Sequence, residues 1–336
     1  MKKVTIIGAG SFGTALSRVL IQAGNEVRIW AREASVAESI NKEHRNNKYL
    51  KEFSLPESLQ AYKDFTVCLQ DCDMIVMATP SHTLRELANQ MRPYLSGNEL
   101  IVSVAKGIEK DSFKTMTQVL AEVLGDVVNE DRIGLISGPS HAEEVADFKP
   151  TLVVAAANSK STALAIQDTF MTPMFRVYIN YDMIGVELSA SVKNIMALAA
   201  GIADGAGMGD NAKAALMTRG LHEMKRLGME MGAMLDTFPG LAGMGDLIVT
   251  CTSQHSRNRY VGYQIGQGLK LDEIINNMEM VAEGVKTTES VYQWAHKMNI
   301  EMPITEAVYQ VLFEGMDPSD GLYSLMTRNP KEEISI

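Results

Sequence analysis

Three glycines near the start of the chain have a spacing that suits a phosphate-binding loop. Gly8, Gly10 and Gly13 stand in the run GAGSFG, after the apolar segment 4–7 and before a segment of helical periodicity. In this context the first glycine permits a tight turn, the second lets the backbone approach a pyrophosphate, and the third allows the helix to pack closely on the strand. The pattern predicts an NAD or NADP site formed by Gly8, Gly10, Ser11, Phe12 and Gly13.

The residue that follows the second predicted strand bears on the choice of cofactor. This strand, 26–30, leads into Ala31 and Arg32, where an NAD-selective site usually places an acid for the ribose hydroxyls. Arg32 could stack on adenine and pair with a 2′-phosphate, which favours NADPH. Two alternatives stay open: Glu33, one residue further, could still reach the ribose, and Arg32 could simply be solvated.

A lysine within a predicted helix is the next candidate for chemistry. Lys193 lies in the helical pattern 182–203 and shares a face with small residues such as Ser189, Ala190 and Ala197. Such a lysine either extends its amine to solvent at a domain edge or projects it into a cleft, where it can move a proton. The sequence alone leaves both roles open.

The elements that must position these residues follow a pattern of short apolar runs alternating with helical segments. Strands are predicted at 3–7, 26–30, 74–78, 100–103, 133–137, 152–157 and 175–179, with helices at 14–23, 84–91, 142–147 and 161–170 between them. This alternation is typical of βαβ crossovers and a mostly parallel sheet. We therefore predict an α/β fold, with a Rossmann-like NAD(P)-binding domain over residues 1–180.

Beyond residue 180 the strand signals end and helical periodicity continues. The predicted helices are 182–203, with residues 181–182 as its cap, 211–227, 257–267, 271–278, 287–297 and 304–313. We predict an all-helical, substrate-binding domain over 181–336. The segment 183–203 contains Glu187 and Lys193, so it is interpreted as a buried helix rather than a membrane span.

Composition limits the class of partner. The 336 residues carry 31 Lys and Arg against 41 Asp and Glu, a formal net charge of −10, with no basic cluster. This balance disfavours nucleic acid and anionic membranes and favours a small molecule. The three cysteines and six scattered histidines show no metal-binding spacing, so we expect no metal, no disulfide and a cytoplasmic location.

Further motifs identify a resemblance to a known family. Besides GAGSFG, the chain contains SVAKGIE at 103–109, SGPS at 137–140, SVKNIMA at 191–197, GMGDL at 243–247, SRN at 256–258 and VAEG at 281–284. In this order they resemble the bacterial type of NAD(P)-dependent glycerol-3-phosphate dehydrogenase. The resemblance implies reversible interconversion of sn-glycerol 3-phosphate and dihydroxyacetone phosphate, which supplies phospholipid synthesis. His141 departs from the family, which often has an aromatic residue there.

The resemblance also implies roles for individual residues. Lys193 would be the proton acceptor, with Lys106 and Asp246 as further catalytic residues. A free lysine has a pKa of about 10.4, so burial or nearby cations, for which Lys106 and Arg257 are candidates, would have to lower it. The implied substrate contacts are Lys106, Gly138, Ser140, Lys193, Asn194, Asp246, Thr250, Ser256, Arg257 and Asn258. The implied cofactor contacts beyond the glycine loop and Arg32 are Lys106, Ala142, Arg257, Val281 and Glu283.

Elementary chemistry agrees with several of these roles. Ser256, Arg257 and Asn258 combine an N-cap, a guanidinium and an amide at a helix start, which suits a phosphate. Asn194 and Asp246 could hydrogen-bond the substrate hydroxyls and orient the Lys193 ammonium, with Thr250 on the same helical face as Asp246. Asp246 could also cap the helix after Gly245, and both roles could hold. Two other functions remain open: a dehydrogenase of another phosphorylated or carboxylated hydroxy compound, and a non-catalytic NAD(P)-binding sensor. A homodimer through the helical domain is also expected.

Overall fold

A computed structural model describes residues 1–278, 281–330 and 332–333 of the chain. Within these ranges the chain forms ten strands and fifteen α-helices. The strands are β1 (Lys3–Ile7), β2 (Glu26–Trp30), β3 (Arg45–Asn46), β4 (Leu50–Ser54), β5 (Gln60–Tyr62), β6 (Met74–Met77), β7 (Leu100–Ser103), β8 (Ile133–Ser137), β9 (Thr151–Ala157) and β10 (Phe175–Asn180).

The helices alternate with the strands in the first half and follow one another in the second. They are α1 (Ser11–Gln22), α2 (Ala34–Glu43), α3 (Phe65–Cys68), α4 (Leu84–Met91), α5 (Met116–Leu124), α6 (Ala142–Ala146), α7 (Lys160–Phe170), α8 (Met183–Gly205), α9 (Asp210–Glu230), α10 (Asp246–Thr252), α11 (Arg257–Gly266), α12 (Leu271–Asn276), α13 (Glu283–Met298), α14 (Pro303–Tyr309) and α15 (Pro318–Met326).

The chain separates into two compact units. The first comprises residues 1–106 and 115–183, and the second comprises 107–114 together with the described part of 184–336. The short segment 107–114 therefore groups with the helical unit, although the sequence analysis had placed it in the N-terminal domain.

The first unit is built on an eight-stranded sheet. Its strand order is β10-β9-β8-β7-β6-β1-β2-β5, and every neighbouring pair is parallel except β8 and β9. Helices cover both faces: α1 packs on one side through residues such as Leu16, and α4 and α5 pack on the other. The predicted α/β fold with a mostly parallel sheet is confirmed. Strand order reverses between β1 and β6, the position where such sheets bind ligands at the carboxyl ends of their strands.

Buried, continuously apolar strands explain why the sheet could be predicted. β6 (MIVM) and β7 (LIVS) are buried at every position, as expected for strands covered by helices on both faces. The predicted strands agree with the observed ones to within one residue at either end. The predicted helix 14–23 begins earlier, at Ser11, because the glycine loop leads directly into the first helical turn.

The second unit contains helices but no β-strand among its described residues. Its core surrounds α8, which contributes Val192, Ile195 and Leu198 among others. The predicted all-helical architecture is confirmed, and the helix predicted at 287–297 starts four residues earlier, at Glu283. The helix predicted after Gly245 is observed as α10, whereas the sequence analysis missed the π-helical turn at Leu241–Gly245 and α15.

Helix α8 is also the one described segment whose length and hydropathy would suit a membrane span. However, 89% of its most apolar window is buried inside the protein, which is the behaviour of a core helix. The interpretation of this segment as a buried helix is therefore confirmed.

A buried carboxylate joins two helices of the second unit. Glu223 of α9 accepts hydrogen bonds from the backbone N–H groups of Ile304 (2.5 Å) and Thr305 (3.1 Å) and from the Thr305 hydroxyl (2.9 Å). It thereby satisfies donors at the start of α14, which no residue of that helix caps. Burial raises the pKa of Glu223 to about 7, although these hydrogen bonds act in the opposite direction.

The titration of Glu223 predicts how stability depends on pH. Because its pKa rises from 4.5 to about 7 on folding, the native state holds a proton that the unfolded state releases between these values. The free energy of unfolding should therefore fall as pH rises from 4.5 through 7, with about 3 kcal/mol contributed by this group. Urea unfolding at pH 5 and pH 8 measures the difference. Glu223→Gln should remove most of it, and an unchanged pH dependence in that variant would contradict the prediction.

Candidate functional site

The glycine loop between β1 and α1 has the backbone geometry that a pyrophosphate needs. Gly8 has φ +117°, and a Cβ there would lie 2.5 Å from the Ala78 carbonyl oxygen. A Cβ at Gly13 would overlap the carbonyl of Gly8, so only glycine lets α1 pack this closely. At Gly10, in contrast, a Cβ would meet no atom within 4 Å. The start of α1 is therefore open for an anion to approach its N–H groups, which fits a dinucleotide.

The two residues within the loop that carry larger side chains turn them towards the protein. The Ser11 hydroxyl donates to the carbonyl of Tyr49 at 2.7 Å, and Phe12 packs partly buried against the core of the first unit. Any contact of Ser11 or Phe12 with a cofactor would therefore come mainly from their backbone.

A buried asparagine that the sequence analysis missed holds this loop in place. Asn46 is fully buried, and its side-chain NH₂ group donates to the Ala9 carbonyl and to the Thr14 hydroxyl, both at 2.8 Å. Asn46 is remote from GAGSFG in sequence, and no motif marks it. The role of Asn46 can be recognised only from the three-dimensional structure.

The end of β2 presents two opposite charges in different surroundings. Arg32 is exposed, whereas Glu33 is engaged: the Lys48 ammonium donates to both its carboxylate oxygens at 2.8 and 2.9 Å, and the Tyr49 hydroxyl donates at 2.8 Å. The hydrogen bond from Lys48, followed by that from Tyr49, lowers the pKa of Glu33. A ribose would have to displace these partners to bind Glu33. Lys48, another residue missed from sequence, adds a second cation to this edge.

Residues at the carboxyl ends of β7 and β8 converge as predicted. The Lys106 ammonium donates to the Gly138 carbonyl at 3.4 Å, and the Ser140 hydroxyl donates to the same oxygen at 2.9 Å. Gly138 has φ +144°, and a Cβ there would lie 3.0 Å from the Cα of Val153. Ala142 begins α6 and is buried. Lys106, Gly138 and Ser140 thus form one cluster at the sheet edge.

The second unit buries an ion pair between two helices. Lys193 of α8 and Asp246 of α10 are almost completely buried, with 2.5 Å between Nζ and Oδ1. The Lys193 ammonium also donates to the Thr250 hydroxyl at 2.7 Å, and this hydroxyl donates to the Asp246 backbone carbonyl at 2.6 Å. Of the two roles left open for Lys193, extension into solvent is excluded by its burial.

One expectation about Asp246 is wrong and the other agrees with the structure. Asp246 does not cap a helix, because the π-helical turn Leu241–Gly245 runs directly into α10 and leaves Asp246 in helical conformation. Its carboxylate pairs with the Lys193 ammonium, the group that the sequence analysis expected it to orient. The carboxylate stabilises the ammonium form and opposes the effect of burial.

The start of α11 brings together the predicted phosphate ligands. Ser256 is the N-cap, as predicted, and accepts from the Arg259 N–H at 3.2 Å. Arg257 is exposed, and its Nη1 donates to the Val281 carbonyl at 3.1 Å. Asn258 is buried, and its Oδ1 accepts from the Gly284 N–H at 2.9 Å, so a ligand contact would have to come from Nδ2.

Other predicted residues of the second unit lie beside these groups. Asn194 is buried on α8 next to Lys193, and a Cβ at Gly284 would lie 2.7 Å from the Asn194 carbonyl oxygen. Glu283 begins α13, directly before Gly284. The structure thus gathers Asn194, Asn258, Val281 and Glu283 around the meeting point of α8, α11 and α13.

This arrangement limits the chemistry available to the second unit. A buried ammonium held by a carboxylate can exchange a proton with an oxygen of a ligand, and an exposed guanidinium at a helix start can bind an anion. Cys251, next to Thr250, is not a nucleophile, because burial raises its pKa to about 12. Among the described residues no group of three His, Cys, Asp or Glu side chains could hold a metal ion.

Comparisons with known proteins identify the family. The models of the NAD-dependent glycerol-3-phosphate dehydrogenase N-terminus and C-terminus match residues 3–163 and 182–323. A glycerol-3-phosphate dehydrogenase [NAD(P)+] of Salinibacter ruber is 51% identical over 98% of this chain and 96% of its own length. One from Chlorobium phaeobacteroides is 48% identical over 99% of both chains. The crystal structure of glycerol-3-phosphate dehydrogenase from Coxiella burnetii, 41% identical, covers 97% of this chain and 99% of its own with a TM-score of 0.92.

The sheet with its glycine loop in the first unit and the helical second unit are those of a nucleotide-dependent dehydrogenase. The chain belongs to the NAD-dependent glycerol-3-phosphate dehydrogenase family, because the family models and these relatives match it over nearly its whole length. The resemblance inferred from the sequence motifs is confirmed.

Proposed function

We propose that this chain interconverts sn-glycerol 3-phosphate and dihydroxyacetone phosphate with NAD(P) as cofactor and supplies glycerol 3-phosphate for phospholipid synthesis. The observation that carries the proposal is the buried pair of Lys193 and Asp246, in a chain of this family. A protein that only sensed NAD(P) would not need Lys193, Asn194, Asp246 and Arg257 together.

In this proposal Lys193 moves the proton of the reaction. Bound NAD(P)H supplies the hydride for reduction, and NAD(P)+ accepts it in the reverse direction. The Lys193 ammonium donates a proton to the ketone oxygen of dihydroxyacetone phosphate, and neutral Lys193 removes it from the alcohol of glycerol 3-phosphate. Asp246 and Thr250 orient the amine, and the carboxylate keeps it protonated for reduction.

The phosphate of the substrate is assigned to the start of α11. The Arg257 guanidinium supplies charge and paired donors, and the first N–H groups of the helix add a partial positive charge. The Asn258 amide, Lys106, Gly138, Ser140 and Asn194 complete the proposed substrate contacts. The proposed cofactor contacts are the glycine loop with Ser11 and Phe12, Arg32, Lys106, Ala142, Arg257, Val281 and Glu283.

One assay tests the proposed function directly. Oxidation of NADH and NADPH is followed by absorbance with dihydroxyacetone phosphate and, separately, with unphosphorylated dihydroxyacetone. We expect turnover with the phosphorylated ketone and much weaker turnover with its analogue. Absence of activity on dihydroxyacetone phosphate with both cofactors would refute the proposal, and equal activity on both ketones would refute the role of the phosphate.

We also propose that NADPH is preferred, because Arg32 is exposed at the end of β2 while Glu33 is occupied by Lys48. Arg32→Ala should raise the KM for NADPH about tenfold and leave the KM for NADH nearly unchanged, since only NADPH carries a 2′-phosphate. Steady-state kinetics with each cofactor measure both values. Lys42→Ala, which removes a solvated cation of α2, is the control. Equal effects of Arg32→Ala on the two cofactors would remove the assignment.

Two remaining expectations stay predictions. A homodimer through the helical unit is consistent with exposed apolar side chains on α15, where Tyr323 and Met326 are 69% and 76% exposed. Sedimentation would test it. The cytoplasmic location likewise rests on composition alone.

A further inference from the structure

Two helices of the second unit cross in direct backbone contact. Gly201 and Gly205 of α8 face Gly262 and Gly266 of α11. The two glycines of α8 are as far apart in sequence as the two glycines of α11. A Cβ at Gly201 would overlap the Arg259 carbonyl, and one at Gly262 would overlap the Leu198 carbonyl. Only glycine permits this approach, so the separation of the two helices cannot vary with side-chain packing.

An ionic group lies beside this crossing. Asp204 of α8 accepts from Nε (2.9 Å) and Nη2 (2.6 Å) of Arg259 through Oδ2, and from the Lys213 ammonium (2.6 Å) through Oδ1. All three side chains are largely buried, with 15% of Asp204 and 22% of Arg259 exposed. Desolvation acts to raise the pKa of Asp204, but the hydrogen bonds from Lys213 and Arg259 outweigh it and lower the pKa, so the group stays charged.

The two ends of this contact lie on the helices that carry proposed site residues. Asp204 follows Lys193 on α8 by about three helical turns, and Arg259 lies in the first turn of α11, two residues after Arg257. The other residues of that turn are also held: Arg257 donates to Val281, and Asn258 accepts from Gly284. A small rotation of α11 would move Arg257, because Arg257 and Arg259 lie in the same first turn of the helix.

The geometry points to Asp204 as a positioning residue. Through Arg259 and the glycine crossing, it fixes the start of α11 on the helix that carries Lys193, and so places Arg257 to bind the substrate phosphate. This inference rests on the proposed function, since it assigns the phosphate to Arg257. Asp204 itself would touch neither substrate nor cofactor.

A positioning role of Asp204 is distinguished from a role in folding by comparing substrates with and without a phosphate. Asp204→Asn keeps the shape of the side chain but removes its charge, and should raise the KM for dihydroxyacetone phosphate about tenfold with little change in kcat. At saturating NADPH, turnover of unphosphorylated dihydroxyacetone should stay unchanged, because that ketone has no phosphate for Arg257 to bind. The matched control is Asp210→Asn, which removes a fully exposed carboxylate 3.6 Å from the same Lys213 and should have no effect.

A double-mutant cycle with Arg257→Ala gives the decisive comparison. If Asp204 acts through Arg257, Asp204→Asn should not lower kcat/KM further in the Arg257→Ala background. Equal factors in both backgrounds, an equal loss on the unphosphorylated ketone, or an equal effect of Asp210→Asn would each overturn the inference.

Three further outcomes are distinguished in advance. If Asp204→Asn does not fold, Arg259→Lys takes its place, since it keeps the charge but loses one of the two donors; an unchanged KM in that variant would overturn the inference. A wild-type chain that does not reduce dihydroxyacetone phosphate refutes the proposed function. An active wild type with normal KM in Asp204→Asn refutes only the positioning role.

Discussion

Lys193→Ala is expected to lower kcat for reduction of dihydroxyacetone phosphate about 10²- to 10⁴-fold, the usual contribution of a positioned general acid. The affinity for NADPH should change little, because Lys193 acts on the proton in the transition state and is not among the proposed cofactor contacts. Steady-state kinetics measure the first quantity, and cofactor binding by fluorescence titration measures the second.

The buried partner of Lys193 requires a control for this experiment. Removing the ammonium alone leaves the Asp246 carboxylate buried without its counter-charge, which destabilises a protein strongly. The double variant Lys193→Met with Asp246→Asn fills the same space with neutral groups, so thermal unfolding can show that it is folded. A folded double variant that retains the wild-type kcat would rule out proton transfer by Lys193.

Arg257→Ala should lower kcat/KM for dihydroxyacetone phosphate about 10- to 100-fold, which corresponds to a charge-assisted hydrogen bond of about 1.5–3 kcal/mol. Because Arg257 is exposed, the change should leave the stability of the fold almost unaltered. Kinetics with the phosphorylated and unphosphorylated ketones measure the effect, since only the first should be sensitive.

The conservative variant sharpens this prediction. Arg257→Lys keeps the charge but loses the planar pair of donors, so it should recover part of the lost kcat/KM. Proportional losses on both ketones would show that Arg257 supports the helix rather than the phosphate.

Continuous apolar runs made the main sheet predictable, whereas the elements with mixed composition were missed. β4 reads LKEFS and is largely exposed, and β5 has three residues, so neither carries a periodic pattern. The antiparallel pairing of β8 and β9 was also invisible, because strand direction depends on the path of the connection and not on which residues are buried.

At the site, the pairing of Asp246 with Lys193 was anticipated, but several other partners were not. Ser256 was identified as an N-cap because serine at a helix start has a local cause. The capping role expected for Asp246 was wrong because two glycines before it suggest a break, while the chain continues through a π-helical turn. Asn46, Lys48 and Asp204 act on residues distant in sequence, so a single sequence contains no local signal for them.

The chain passes between its two units three times, at residues 106/107, 114/115 and 183/184. The short internal stretch between the first two passages contributes buried Ile108 and also Phe113, whose ring stacks on Trp294 with 5.9 Å between centroids. A fragment beginning at residue 184 would leave that indole face uncovered. A transfer of the helical unit between proteins by recombination would therefore have to include residues 107–114 in addition to the segment that begins at residue 184.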